Sequence, residues 1–141
     1  MKYILKAILL VTFFTSSKIY GQDSGTKDEY TPAIYNGCED IKDPAAQAEC
    51  SEKTMYNLAY RNVVYPAFAK EEGISGTVIV TFDVNEKGEI EKIEVSEGAH
   101  EYLDNASIKA IKKLRNYYAP AYRNGIPVKE KKSVIFRFQL H

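Results

Sequence analysis

Val63–Val84, VVYPAFAKEEGISGTVIVTFDV, passes in one sweep from a proline to a run of alternation. Val78, Val80, Phe82 and Val84 are apolar, the intervening Thr77, Thr81 and Asp83 are polar, and only Ile79 breaks the pattern. A period of two in β-branched and aromatic residues predicts a half-buried strand over Thr77–Val84. A residue that precedes proline is pushed out of the α region, so Asn62–Tyr65 is predicted to be extended. Pro66 suits the first position of a helix, PAFAKEE supplies about two turns, and Gly73 provides the left-handed stop. The stretch carries no catalytic motif, which points away from an enzyme.

Downstream, NEKGE reads as a hairpin connection with Gly88 at the position that wants positive φ. The partner strand is Glu89–Glu97, with Ile90, Ile93 and Val95 as its apolar members. Their slip from even to odd numbering predicts a bulge. In EYLDNASIKAIKKLRNYY, Leu103, Ala106, Ala110 and Leu114 recur at helical spacing. Asp104 lies near the start and Lys112, Lys113 and Arg115 near the end, as the helix dipole favours. APAYRNGIPVKE reads as a loop with an Asn-Gly turn. Lys132–Leu140 alternates again, with Val134, Phe136, Phe138 and Leu140 facing one way.

These elements predict an α+β fold with a three-stranded antiparallel sheet, order 2-1-3, packed on helices. The strand Glu89–Glu97 is one edge, guarded by Glu89, Glu91, Lys92, Glu94 and Glu97. Lys132–Leu140 is the other, otherwise apolar apart from Lys131, Lys132 and Arg137. An edge left open must be guarded or used, and this one suggests strand addition.

The start of the chain has a different character. MKYILK is basic, AILLVTFF is a short apolar run and TSSKIYG is small and polar, the layout of a secretory signal peptide. Ala7–Phe14 falls well below the ~20 residues of a membrane span. Cleavage is expected after Gly21; an uncleaved anchor or a lipoprotein is the alternative, the latter lacking a cysteine directly after the apolar run. Loss of 1–21 removes three lysines and no acid, leaving 16 basic and 19 acidic groups from an initial 19 of each. That balance offers no basic field for nucleic acid. Gln22–Tyr35 is expected to be a flexible lead-in, and 36–62 a cysteine loop followed by a helix capped by Ser51 and running to about Tyr60. Domain 63–141 follows.

Cys38 and Cys50 are separated by eleven residues. A metal site needs more ligands, and His100 and His141 are far off in sequence; a redox pair would usually be C-x-x-C. In an exported chain the pair reads most simply as a structural disulfide, with free thiols or pairing between chains as the alternatives. His100 reads as a solvated loop residue, IKKLR as a solvent face, and Tyr56, Tyr60, Tyr65, Tyr117, Tyr118 and Tyr122 as packing residues or the lining of a peptide groove. The sequence contains no G-x-S-x-G, H-E-x-x-H or phosphate-binding glycine loop, and no enzyme, cofactor or metal is expected.

The ordered set of Tyr65-Pro66, Gly73 and Gly76, Phe82-Asp83-Val84 before a glycine turn, Ala106 and Ala110, Pro120, Asn124-Gly125 and Phe136-x-Phe138 resembles the C-terminal domain of TonB energy transducers. The resemblance covers about Tyr65–Leu140. It implies a periplasmic domain that grips the N-terminal box peptide of an outer-membrane receptor by strand addition to its last strand. The implied receiving edge is Val134, Ile135, Phe136, Arg137, Phe138 and Gln139. The pattern departs from a full transducer in its short apolar segment and in having five prolines with none in a run. The 14-residue lead-in would span at most ~50 Å. The expectation is therefore a stand-alone, exported binding module whose partner is a protein or peptide. The alternative is an accessory envelope domain that self-associates through the same edge.

Overall fold

The computed structural model describes residues 27–141; the expected signal segment, 1–21, lies outside the described residues. The elements in chain order are β1 Tyr30–Thr31, α1 Pro44–Asn62, α2 Ala67–Glu71, β2 Gly76–Val84, β3 Ile90–Glu97, α3 Glu101–Lys112, β4 Ala121–Arg123, β5 Ile126–Val128 and β6 Glu130–Phe138. The main sheet is antiparallel with order β3-β2-β6, the order expected from the three main strands. A second, smaller sheet has the order β1-β4-β5. Helix α3 lies over β2 and β3, and α1 lies beside it over β6.

The alternation in β2 does what its period dictates. Val78, Val80, Phe82 and Val84 are fully buried, together with Val134 and Phe136 of β6. Leu103, Ala110 and Ile111 of α3 and Met55 and Ala59 of α1 close the core from the helical side. Strands β2 and β6 pair without a break from Gly76↔Phe138 to Val84↔Glu130. Pairing with β3 shifts register twice, and Lys92, between Ile90 and Ile93, has φ of 50°. The slip in apolar numbering is thus a real irregularity of the edge strand. In the β2–β3 turn, the Asn85 side chain accepts from the amides of Lys87 and Glu89. Gly88 has φ of 80°, and a Cβ there would sit 2.8 Å from the Tyr117 carbonyl oxygen.

Several segments differ from expectation. Helix α1 begins at Pro44, not Ser51: Asp43 is the cap, accepting from the Ala46 amide at 2.8 Å, and Pro44 occupies the first turn. Ser51 is instead buried in mid-helix, where its hydroxyl donates to the Ala33 carbonyl (3.1 Å) and accepts from the Tyr35 amide (2.7 Å). That clamp holds Ala33–Tyr35, the end of the segment expected to be a flexible lead-in, whose residues 22–26 lie outside the described residues. Ala33, Ile34 and Tyr35 are buried, β1 pairs with β4, and Ile34 bridges to Ala119. Local composition hid this, because the partners are far along the chain.

The expected Asn-Gly loop is a tight β4–β5 hairpin, with φ of 53° at Asn124 and 77° at Gly125. Strand β6 starts at Glu130 and stops at Phe138, so Leu140 lies beyond it, 43% exposed. His100 is not a free loop residue: its Nδ1 accepts from the Tyr102 amide at the start of α3, and its ring stacks on Tyr102. Cys38 and Cys50 form a disulfide that joins the preceding loop to α1. Closing so short a loop is worth about 3 kcal/mol in the chain-entropy picture.

Candidate binding edge

β6 is the open end of the main sheet: β2 lies on one side, and no strand lies on the other among the described residues. Its side chains divide by parity. Lys132, Val134, Phe136 and Phe138 face the core and are buried, whereas Lys131, Ser133 and Arg137 are exposed on the opposite face and Ile135 is half-buried there. Ile135 lies opposite Ile79, leaving an apolar pair in the middle of an otherwise polar sheet face.

The backbone divides in the same way. In an antiparallel ladder, alternate residues direct both N–H and C=O toward the partner strand or away from it. The Tyr56 hydroxyl donates to the Ser133 carbonyl at 2.8 Å, and the Tyr60 hydroxyl donates to the Ile135 carbonyl. These carbonyls therefore point away from β2, and by alternation so do the groups of Lys131 and Arg137. By the same alternation, among the residues expected to receive a partner, Val134, Phe136 and Phe138 direct their backbone groups into the ladder with β2. Ile135 and Arg137 present theirs outward, and Gln139 lies just past the strand end. Among the described residues, no side chain is bonded to the Arg137 carbonyl.

Why α1 reaches this edge follows from spacing. Glu52, Tyr56 and Tyr60 are four residues apart and form one stripe, each step rising about 6 Å along a helix. Ser133 and Ile135 are two residues apart, about 6.8 Å along a strand. The helix and strand repeats therefore nearly match, and successive helix turns meet successive outward carbonyls. The Tyr60 ring also packs on Phe136, with centroids 5.5 Å apart. Burial, reinforced by the Glu52 carboxylate, raises the Tyr56 hydroxyl above the ordinary tyrosine value.

One turn earlier in the stripe, Glu52 pairs with Lys132, which also meets Glu130 at 3.0 Å. Lys132 is only 8% exposed although it reads in the sequence as a surface charge of the edge. Burial alone lowers its ammonium, but hydrogen bonds to Glu52 and Glu130 outweigh that and raise it above the ordinary lysine value. Glu130 also accepts from the Ala33 amide at 2.9 Å. One ion cluster thus ties the N-terminal segment, α1 and β6 together.

The opposite edge, β3, is charged and irregular. Glu91 pairs with Lys129 at 2.7 Å, and this bond holds its carboxylate below the usual range. A separate groove of about 660 Å³ lies between the end of α1 and α3, with Val64, Pro66 and Tyr102 rimmed by Lys109, Lys112 and Lys113. Among the described residues there is no cluster of three or more His, Cys, Asp or Glu that could hold a metal, and no helix long and apolar enough to cross a membrane.

Residues 61–140 match the sequence profile of the family described as the Gram-negative bacterial TonB protein C-terminal, more than half of the chain. The chain belongs to the TonB C-terminal family. Two solution NMR structures of the Helicobacter pylori TonB C-terminal domain align with 64% of this chain at 21% identity. One is covered over 82% of its length with a TM-score of 0.48, the other over 96% with 0.45. A search of curated protein sequences returns no match. The family is one of protein-interaction domains in TonB-dependent transport, and its matched region here contains every element from α2 to β6. In this TonB-like chain most of α1 and the whole of β1 precede the matched region, yet Tyr35, Met55 and Ala59 belong to the same core. The strand expected at the edge of the sheet does lie there, and Tyr56 and Tyr60, read in the sequence only as packing or groove-lining residues, reach its carbonyls. Their signal was the spacing of Glu52, Tyr56 and Tyr60.

Proposed function

We propose that this protein is an exported TonB-like binding module that takes an extended peptide or protein segment along the outer edge of β6. The partner class is a protein of TonB-dependent transport, such as the N-terminal segment of an outer-membrane transporter. One observation carries the reading: among the described residues β6 pairs on one side only, and its outward groups at Ile135 and Arg137 alternate as an incoming strand requires. Family membership supports the class of partner. Export is proposed from the sequence pattern of residues 1–21, with the chain then residing in the periplasm.

The test is to titrate the purified protein with synthetic N-terminal peptides of outer-membrane receptors while following backbone amide shifts by NMR. Shifts concentrated at 135–139 are expected. Arg137→Pro removes an outward N–H while sparing the ladder with β2, and is expected to abolish binding with the fold intact. Shifts elsewhere, or binding untouched by Arg137→Pro, would refute the reading. The half-buried Ile79–Ile135 pair favours a second reading, self-association of an accessory envelope domain through this face. It predicts a concentration-dependent dimer that binds no receptor peptide.

A further inference from the structure

The edge that strand addition would use is already partly occupied by the chain itself. Tyr56 and Tyr60 donate to the carbonyls of Ser133 and Ile135, two of the acceptors that an added strand would need. We propose that Tyr56 and Tyr60 form a displaceable guard on β6, so that only an extended segment offering N–H donors at alternate positions, and able to displace both hydroxyls, gains the whole edge. The inference rests on the strand-addition reading of the same edge and concerns its control.

Three features support it. First, the hydroxyls lie in the register that a strand's N–H groups would occupy, so competition is at the same atoms. Second, the guard is fixed at one end and lighter at the other. Glu52 ties the stripe to the buried Lys132, whereas Tyr60 is 42% exposed and only two residues before α1 ends at Asn62. Third, the guard stops short. Arg137 lies beyond the last tyrosine of the stripe, leaving a foothold at the C-terminal end of β6 from which a strand can begin to pair. Entry would run from Arg137 toward Ser133, displacing Tyr60 before Tyr56. The same guard deals with the hazard of an apolar edge, since a covered carbonyl row does not template pairing between copies of the chain.

The test compares wild type with Tyr56→Phe/Tyr60→Phe, which keeps both rings and their packing but removes both donors. Tyr60→Phe alone, at the more exposed site, is the milder variant should the double change disturb folding. The probe is a synthetic peptide copy of Glu130–Phe138, titrated by NMR, with sedimentation equilibrium reporting self-association. A hydrogen bond lost to a competitor weakens binding by about fivefold, so the double variant is expected to bind the probe, or itself, on the order of twentyfold more tightly. Shifts should centre on Ser133–Arg137, and the single variant should show about a fivefold gain. Equal behaviour of wild type and both variants, whether all bind or none does, overturns the guard.

Receptor peptides then separate this proposal from the reading beneath it. If they bind neither protein while the double variant takes up the β6 probe or dimerises, the guard stands and the transport partner falls. If they bind wild type and variant equally at β6, the guard falls and the partner reading stands.

Discussion

Replacing Lys132 by Met tests how firmly α1 is fastened to the sheet. The Lys132 side chain is 8% exposed and lies between the carboxylates of Glu52 and Glu130, which are 44% and 14% exposed. Methionine fills a similar volume, so no large cavity is expected and the cost is electrostatic. Removing one member of a fully buried pair costs about 3–5 kcal/mol, because the other charge is left stranded. Here Glu52 can turn into solvent, and Glu130 keeps the Ala33 amide. Only one carboxylate is therefore poorly served, and the expected loss is about 2–3 kcal/mol. For a domain of this size that lowers Tm by on the order of 10 °C. Urea unfolding followed by circular dichroism measures it. Adding Glu130→Gln to Lys132→Met removes the stranded charge, and should recover about 1–2 kcal/mol relative to additivity. Glu52→Gln alone should cost under about 1 kcal/mol. A Lys132→Met protein within 0.5 kcal/mol of wild type (about the experimental resolution of additivity), or strict additivity in the cycle, would refute the view that this cluster anchors α1.

Three further outcomes are expected. Tyr117 is 5% exposed, and its hydroxyl has no hydrogen-bond partner among the described residues; Tyr117→Phe should be neutral or stabilising by up to about 1 kcal/mol, and a loss of more than that in thermal or urea unfolding would show that the hydroxyl is needed. Gly88→Ala should cost about 1–2 kcal/mol or more from positive φ, with an added clash at the Tyr117 carbonyl, whereas Gly73→Ala, which meets nothing within 4 Å, should show the φ penalty alone. The third concerns alkali: burial and neighbouring carboxylates push Tyr30 up to about 12, burial raises Tyr117 and Tyr35, and Lys132 is also raised. Groups raised in the folded state contribute stability fully below their unfolded values, about 10 for tyrosine and 10.4 for lysine. The contribution is lost as pH climbs through the folded values. Tm should therefore fall steeply from pH 10 to 12 and change little between pH 7 and 9; a flat profile across the alkaline range would contradict these shifts.

Much of the fold is legible in the sequence because it is local. The period of two in β2 and β6, the spacing of Leu103, Ala106 and Ala110, and the glycines that stop α2 and turn the hairpin are all set by backbone geometry within a few residues. Strand order followed from the alternating directions of those elements, and the edge position of β6 followed from the order. Asp43 and Pro44 also carried a local signal for the start of α1, one masked by the stronger appearance of Ser51 as a cap.

What the sequence could not disclose depends on partners far along the chain. Lys132 looks like a guarding surface charge, and it takes the approach of Glu52, 80 residues away, beside the neighbouring Glu130 to offset its burial. Ala33–Tyr35 looks like linker until Ser51, Ala119 and Glu130 supply its hydrogen bonds. Tyr56 and Tyr60 are two tyrosines among eleven, and nothing local directs them to carbonyls 77 and 75 residues distant. Alternation along the strand determined that β6 would have an outward row of backbone groups. Only the packing of α1 against it decided that half of that row is already covered, because side-chain reach across a sheet edge is a property of the assembled layers.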